Sequence, residues 1–327
     1  MNFAASKQQQ VEHIAQLRDV LVHEKLDGFL VPLADEYMNE YVPEVAQRLT
    51  WLTGFTGSSG FAVILKDKAA FFTDGRYTIQ AAQQLNAEIY ELRHFTKTPV
   101  NEYLAQHIKD GDKIAYDPWL HTRSGLDRVK SVLTKNKAKL ICVDKNLIDC
   151  IWQNKPAAPN AEIFVHDLKY AGESSASKRA RLAKELAGQG LEAAVITTPP
   201  SIAWLLNVRG GDAENTPLPL SYAILYASGA VDWFVNQAKL KPETKSKLSG
   251  DATFYAPDDF VGVIKQLGSK KSKVRVDVQH TPAKVIDMLE DAGAVIDAGV
   301  DVCDLPKSCK NKDELAGIKA AHIRDGL

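Results

Sequence analysis

The sequence predicts an α/β protein of two similar domains, each a mixed sheet flanked by helices. Three observations carry that prediction. Stretches with apolar residues at helical spacing alternate with short, continuously apolar runs of strand length. In each half, two of those runs are separated only by a tight polar turn, as in a hairpin, so the sheet is not purely parallel. The same succession of elements then occurs twice along the 327 residues.

Taken in order, the first helix is expected over residues 7–24, where Val11, Ile14, Leu17 and Leu21 recur at helical spacing. A strand over 26–31 comes next and Pro32 closes it. After the segment 49–54, centred on Trp51-Leu52, come strands over 60–65 and 69–73, joined by Lys66-Asp67-Lys68. A helix, a strand over 113–117, another helix and a strand over 139–144 complete the half. The second half repeats this. A helix over 176–187 is stopped by Gly188 and Gly190, which tolerate the left-handed conformation at a helix end. A strand over 191–196 runs to Pro199-Pro200, and Trp204-Leu205 answers Trp51-Leu52. Strands over 221–226 and 231–235 are joined through Ser228-Gly229, and strands over 273–277 and 294–297 each come after a helix. The landmark pairs Leu26/Leu191, Trp51/Trp204 and Lys113/Lys273 are 165, 153 and 160 residues apart, which favours duplication over coincidence. The polar run Gly172-Glu173-Ser174-Ser175 reads as a linker, giving domains 1–171 and 172–310, with 311–327 opening a further helix.

Composition narrows the function. Hydrophobic residues at 45% and charged residues at 25% are the balance of a folded globular chain. With 40 basic against 41 acidic side chains there is no electrostatic case for nucleic acid or an anionic membrane. No apolar run has spanning length, and the N-terminal residues lack an apolar leader core. Cys142, Cys150, Cys303 and Cys309 lack zinc-finger spacing and read as free thiols of a reducing compartment, so a cytoplasmic location is expected.

No complete catalytic constellation is present. His23-Glu24 opens a zincin-like motif, but position 27 is aspartate. The run Gly54-Phe55-Thr56-Gly57-Ser58-Ser59-Gly60 fits neither a dinucleotide loop nor a phosphate loop, and neither serine sits in a nucleophile elbow. It reads as a tight loop into a buried strand, with approach to a ligand or partner as the alternative. The eight histidines are scattered; His121 and His166 stand out only by flanking apolar segments.

One segment resists a purely structural reading. The strand Ala69–Thr73 runs into Asp74-Gly75-Arg76-Tyr77, and a helix over 78–85 begins. Asp74 suits the cap before a helix, where its carboxylate accepts orphan amide hydrogens. Arg76 does not suit it, because a cation near a helix N-terminus opposes the dipole. Arg76 either pairs with a local acid or points into a cleft and grips a carboxylate or carbonyl. The loop from Asn207-Val208-Arg209 through Gly210-Gly211 and on along Asp212-Ala213-Glu214-Asn215-Thr216-Pro217 is flexible, acidic and long for a structureless connection, so it is either a surface loop or a functional one.

These segments carry a family likeness. Trp51-Leu52-Thr53-Gly54-Phe55-Thr56-Gly57-Ser58-Ser59-Gly60 with Phe72-Thr73-Asp74-Gly75-Arg76-Tyr77 resembles the first domain of Xaa-Pro aminopeptidases. Ile202–Gly210 with Ser221-Tyr222-Ala223 resembles their second domain, and the stretch from Lys310 resembles the helix leading into their third. The resemblance implies two tandem creatinase-N-terminal-like domains of the long form, without the pita-bread domain that comes next in the family. It implies a full-length enzyme that removes an N-terminal residue preceding proline and uses two divalent metals, expected to be manganese, held in that third domain. It implies a homodimer, and it assigns Arg76 to substrate binding, with no catalytic or metal-ligating residue in this chain. The chain is therefore expected to be an inactive piece of a longer enzyme, ending as the connecting helix gets under way. The competing reading is a non-enzymatic binding or assembly module of the same fold.

Overall fold

The computed structural model describes residues 4–326; Met1–Phe3 and Leu327 lie outside the described residues. Its contacts divide the chain into two units, one of residues 1–36 and 40–158, the other of residues 37–39 and 159–327.

In the first unit, α1 (Lys7–His23) starts at Ser6, whose side chain accepts from the Gln9 amide while the Gln9 side chain accepts from Ser6, a capping box. It presents Ile14, Leu17 and Leu21 to the core. Then come β1 (Gly28–Pro32), α2 (Arg48–Thr53), β2 (Phe61–Leu65), β3 (Ala69–Thr73), α3 (Thr78–Gln84), β4 (Glu91–His94), α4 (Val100–His107), β5 (Lys113–Tyr116), α5 (Arg123–Lys135) and β6 (Lys139–Cys142). The six strands lie in the order β4-β3-β2-β1-β5-β6. β1, β2 and β3 pair antiparallel, whereas β4 and the β5–β6 side pair parallel, so the sheet is mixed as expected. Alternation fills both faces. Phe29, Val31, Ala62, Ile64 and Phe71 pack on one side with α1 and α2 residues, while Leu30, Val63, Ala70 and Phe72 pack on the other with α4 and α5 residues.

The second unit contains β7 (Phe164–Val165), α6 (Leu168–Ala171), α7 (Ser175–Gly188), β8 (Ala193–Ile196), α8 (Pro199–Leu205), β9 (Val208–Arg209), β10 (Tyr222–Tyr226) and β11 (Val231–Phe234). It continues with α9 (Pro242–Leu248), β12 (Thr253–Tyr255), α10 (Asp259–Ser269), β13 (Lys273–Val276), α11 (Ala283–Asp291), β14 (Val295–Ala298), α12 (Asp304–Ser308) and α13 (Lys312–Asp325). Its sheet, β12-β11-β10-β8-β13-β14, repeats the first sheet strand for strand.

Three expectations change. The break falls before Pro159 rather than at 171/172, because Ile163 bridges Leu240 and β7 pairs with β9, placing that segment in the second core. Gly188 is inside α7; of the two glycines only Gly190, at φ +67°, takes the left-handed conformation. The two Trp-Leu segments are short helices, α2 and α8, and Val208–Arg209 is a strand rather than open loop.

Candidate functional site: the turn after the third strand

β2 and β3 are antiparallel, with Phe61 opposite Phe72, so the loop entering β2 and the turn leaving β3 meet at one end of the sheet. Glycine is needed at several points of that loop, most sharply at Gly54 and Gly57. Gly54 ends α2 at φ +72°, where a side chain would also collide with the Ala5 carbonyl. At Gly57 a Cβ would collide with the Phe55 ring, and it would stand 2.6 Å from Tyr77. The Thr73 hydroxyl, buried, donates to the Ser59 carbonyl at 2.6 Å and fastens loop to strand.

Tyr77 is seated on this loop. Its hydroxyl lies 2.8 Å from Ser58 Oγ, and that hydrogen bond holds its pKa below the usual phenol value. Its ring meets Phe55 edge-on at 5.7 Å, and Phe55 packs on Phe71 of the core. The Arg76 guanidinium stands 5.3 Å from the Tyr77 ring centroid.

Asp74 does not cap the following helix. α3 starts from Tyr77, with no side-chain cap, one turn too late for Asp74 to reach its orphan amides. Instead Asp74 Oδ1 accepts the Arg76 backbone amide at 2.9 Å, closing a local turn. It also accepts the guanidinium: Nε at 3.1 Å to Oδ1 and Nη2 at 2.8 Å to Oδ2. These bonds drive the Asp74 carboxyl well below the ordinary carboxylate range and raise the Arg76 pKa. The pair is nonetheless open to water, with side-chain exposures of 68% for Arg76 and 29% for Asp74. Of the two readings left open by the sequence, pairing with a local acid is present; it leaves Nη1 and one N–H of Nη2 outside the pair.

The second unit has the same turn. Tyr222 pairs with Phe234 as Phe61 pairs with Phe72, so Asn236 takes the place of Asp74, and its side chain accepts from the Ala238 amide at 3.1 Å. Ala238 thus stands where the first unit has Arg76. Lys239, one residue further on, turns inward to Asp212 Oδ2 at 2.7 Å, with side chains 5% and 0% exposed. Asp212 belongs to the Gly-Gly loop, and its Oδ2 also accepts the Leu220 amide at 2.7 Å.

A second pair of equivalent contacts does not stand out in the sequence. In the first unit His13 of α1 stacks on Trp51 with centroids 3.7 Å apart, and its Nδ1 donates to the Trp51 carbonyl at 2.8 Å. In the second, Lys178 of α7 sits over Trp204 at 4.3 Å and donates to the Trp204 carbonyl at 2.9 Å. His13 and Lys178 lie at the spacing of Leu26 and Leu191, so the internal repeat holds the signal. Burial lowers the pKa of both, Lys178 to about 8. His121, edge-on to Phe61 and Tyr116, is buried, and burial pushes its pKa down to about 4. His166 is half-buried beside Tyr170. The four cysteines are free thiols, and among the described residues no group of three or more His, Cys, Asp or Glu could hold a metal ion. Among those residues no helix is long and apolar enough to cross a membrane.

Family models described as the creatinase/prolidase N-terminal domain match residues 13–149 and 154–314. The chain belongs to the creatinase/prolidase family. Its two creatinase N-terminal domains are 33% identical over 324 residues to a probable Xaa-Pro aminopeptidase P of Penicillium rubens, covering 96% of this chain and 52% of that protein. A probable Xaa-Pro aminopeptidase P of Talaromyces marneffei is 32% identical over 324 residues, with 96% of this chain and 49% of the relative covered. The chain thus spans about half the length of the curated relatives it matches. A crystal structure of X-prolyl aminopeptidase from Caenorhabditis elegans, described as a cytosolic enzyme with a di-nuclear active site, superposes with TM-score 0.90 at 24% identity, over 97% of this chain and 54% of that one. At that identity the match shows the shared fold of tandem creatinase N-terminal domains.

Proposed function

We propose that this chain is the non-catalytic N-terminal region of a metal-dependent Xaa-Pro aminopeptidase, a hydrolase that removes an N-terminal residue preceding proline. In this reading the two domains shape substrate access and support a homodimer in the cytoplasm, with peptides as partners and neither nucleic acid nor membrane. By family resemblance the two divalent metals, manganese on the same ground, are held in the third domain of the full-length enzyme. No step of the hydrolysis is therefore assigned to this chain.

The observation that carries the reading is Arg76, a cation displayed to solvent from a braced turn at the end of a sheet. In the sister turn the next cation along the chain, Lys239, is buried. A guanidinium placed like that of Arg76 can donate to a carbonyl of bound peptide without a change in its own turn. In the full-length enzyme, Arg76→Ala is expected to lower kcat/KM toward Xaa-Pro peptides by roughly 10- to 100-fold, the weight of a charge-assisted hydrogen bond. An unchanged kcat/KM would remove Arg76 from substrate binding. The chain alone is expected to show no aminopeptidase turnover.

A further inference from the structure

We propose that the first domain carries, at the end of α1 beside β6, an anchoring groove for an arginine or lysine side chain of a partner polypeptide. Arg76 is not among its lining residues.

The groove holds about 810 Å³. Val20 of α1 with Ile141, Val143 and Ile151 forms its apolar floor, each half-buried and packed on the core beneath. Its rim is acidic, because the carboxylates of Asp19, Glu24 and Asp144 outnumber the Lys145 ammonium. His23, on the same rim, meets Glu24 through Nδ1 at 3.0 Å. Glu24 is also the C-cap of α1, where unpaired helix carbonyls add negative potential.

The second domain shows what this place in the fold can hold. Ala115 lies opposite Ile141 in the β5–β6 register, and Arg275 lies opposite Asp297 in the β13–β14 register. Ala115 is therefore the counterpart of Arg275, and Ile141 of Asp297. Val143 and Gly299 correspond as well, each donating its amide to the last residue of the neighbouring strand, Tyr116 or Val276. Glu24 and Gln189 are the C-caps of the corresponding helices. Across these positions the second domain lays one arginine. The Arg275 guanidinium donates through Nε to Asp297 and through Nη2 to Gln189 Oε1 at 2.7 Å, with the side chain only 18% exposed. Gly299 makes the room, since a Cβ there would stand 2.8 Å from Nε.

The first domain keeps the bed without the arginine. Ala115 ends at its Cβ, and Ile141, Val143 and Glu24 line the space instead. Those replacements suit a cation arriving from outside. Arginine and lysine bury their methylene stems along apolar surface while the head stays polar, which matches the floor. Glu24 and the end of α1 meet the head with opposite charge. A carboxylate side chain in the same place would face three others.

The test uses the whole chain and three N-acetylated, C-amidated tripeptides, Leu-Arg-Leu, Leu-Gln-Leu and Leu-Glu-Leu. Blocked at the amino end, none offers an N-terminal residue for removal. Cys142 and Cys150 line the groove as exposed free thiols, so their alkylation rates report its occupancy. By calorimetry the arginine peptide is expected to bind roughly tenfold more tightly than the glutamine peptide at low salt, with the margin shrinking as salt rises. It is also expected to slow alkylation of both thiols, and the glutamate peptide to do neither. Glu24→Lys is expected to abolish the margin. Asp144→Lys, at an exposed position away from α1, is expected to reduce it and covers the case where Glu24→Lys disturbs the helix end. Equal binding of the arginine and glutamine peptides overturns the proposal. So does arginine-peptide binding that leaves both thiols as reactive as before. Protection of the thiols by raised protein concentration alone overturns it in favour of a second copy of this chain. None of these outcomes bears on Arg76, because Arg76→Ala is expected to leave both readouts unchanged.

Discussion

Asp74 and Asn236 open the same turn at the same end of two related sheets, but the two domains treat the neighbouring charge in opposite ways. In the second domain the cation is folded inward, Lys239 against Asp212, both nearly inaccessible. In the first it is folded outward and held by Asp74 at the surface. An exposed pair contributes little to stability, because water and salt screen it. Breaking a buried pair strands a charge without solvent. The first domain therefore gains little folding stability by keeping Arg76, whereas the second depends on Lys239. The same contrast divides the two tryptophan contacts. His13 meets Trp51 as a stacked, neutral ring, and Lys178 meets Trp204 as a buried ammonium.

The largest effect is expected from removing the buried acid. Asp212→Ala leaves the Lys239 ammonium buried and also frees the Leu220 amide, so a loss of about 3–5 kcal/mol is expected in denaturant unfolding. Replacing both partners with apolar residues, Asp212→Leu with Lys239→Met, is expected to recover most of that loss. A cost for Asp212→Ala as small as that of a surface change would mean that the pair anchors nothing and that the two domains differ less than their burial suggests.

Next in size is a difference in pH response. His121 of the first domain has a folded pKa of about 4 against 6.5 when exposed, so the unfolded chain binds its proton first. Stability contributed by keeping it neutral is complete above pH 6.5 and is lost as pH falls toward 4, by up to about 3 kcal/mol. His13, also lowered, acts in the same direction. In the second domain Lys178, at about 8 against 10.5, gives the opposite arm: below pH 8 its charge burdens the fold fully, and stability rises from pH 8 to 10.5. Thermal melts across pH should show His121→Phe flattening the acid limb and Lys178→Met flattening the alkaline one. An acid limb unaltered in His121→Phe would place the sensitive group elsewhere.

Much of this is legible in the sequence, and the omissions have physical causes. The helix over 7–24 and the paired strands announce themselves because one stripe or one run meets the core. β4 and β12 do not: they are short edge strands, four and three residues long, half-exposed and without alternation. α2 hides its helical period because all six of its residues are buried, leaving no polar face to contrast. Arg76 is visible as a cation in the wrong place for a helix start. Its partner Asp74 is visible too, but its task is not, since cap and turn use the same residue types. The Lys239–Asp212 pair is not visible, because its members are 27 residues apart and nothing in either neighbourhood marks burial.

The smallest expected effect is the one that gives the difference between the two turns its functional meaning. If Arg76 is kept for a ligand and not for the fold, Arg76→Ala should leave the melting temperature of the protein within experimental error. Among the described residues the guanidinium meets Asp74 and the Tyr77 ring face, both at the surface, and neither loses a buried partner when it goes. The Asp74 bond to the backbone amide of residue 76 does not depend on the side chain there, so the turn persists. Salt adds a second reading of the same point: a stability that does depend on this pair would fall as ionic strength rises, and that dependence should be absent. A clear drop in melting temperature for Arg76→Ala, comparable to that of Lys239→Ala, would make the two turns equivalent after all. Arg76 would then be a structural residue, and any loss of turnover in the variant would be a loss of folded protein rather than of a substrate contact.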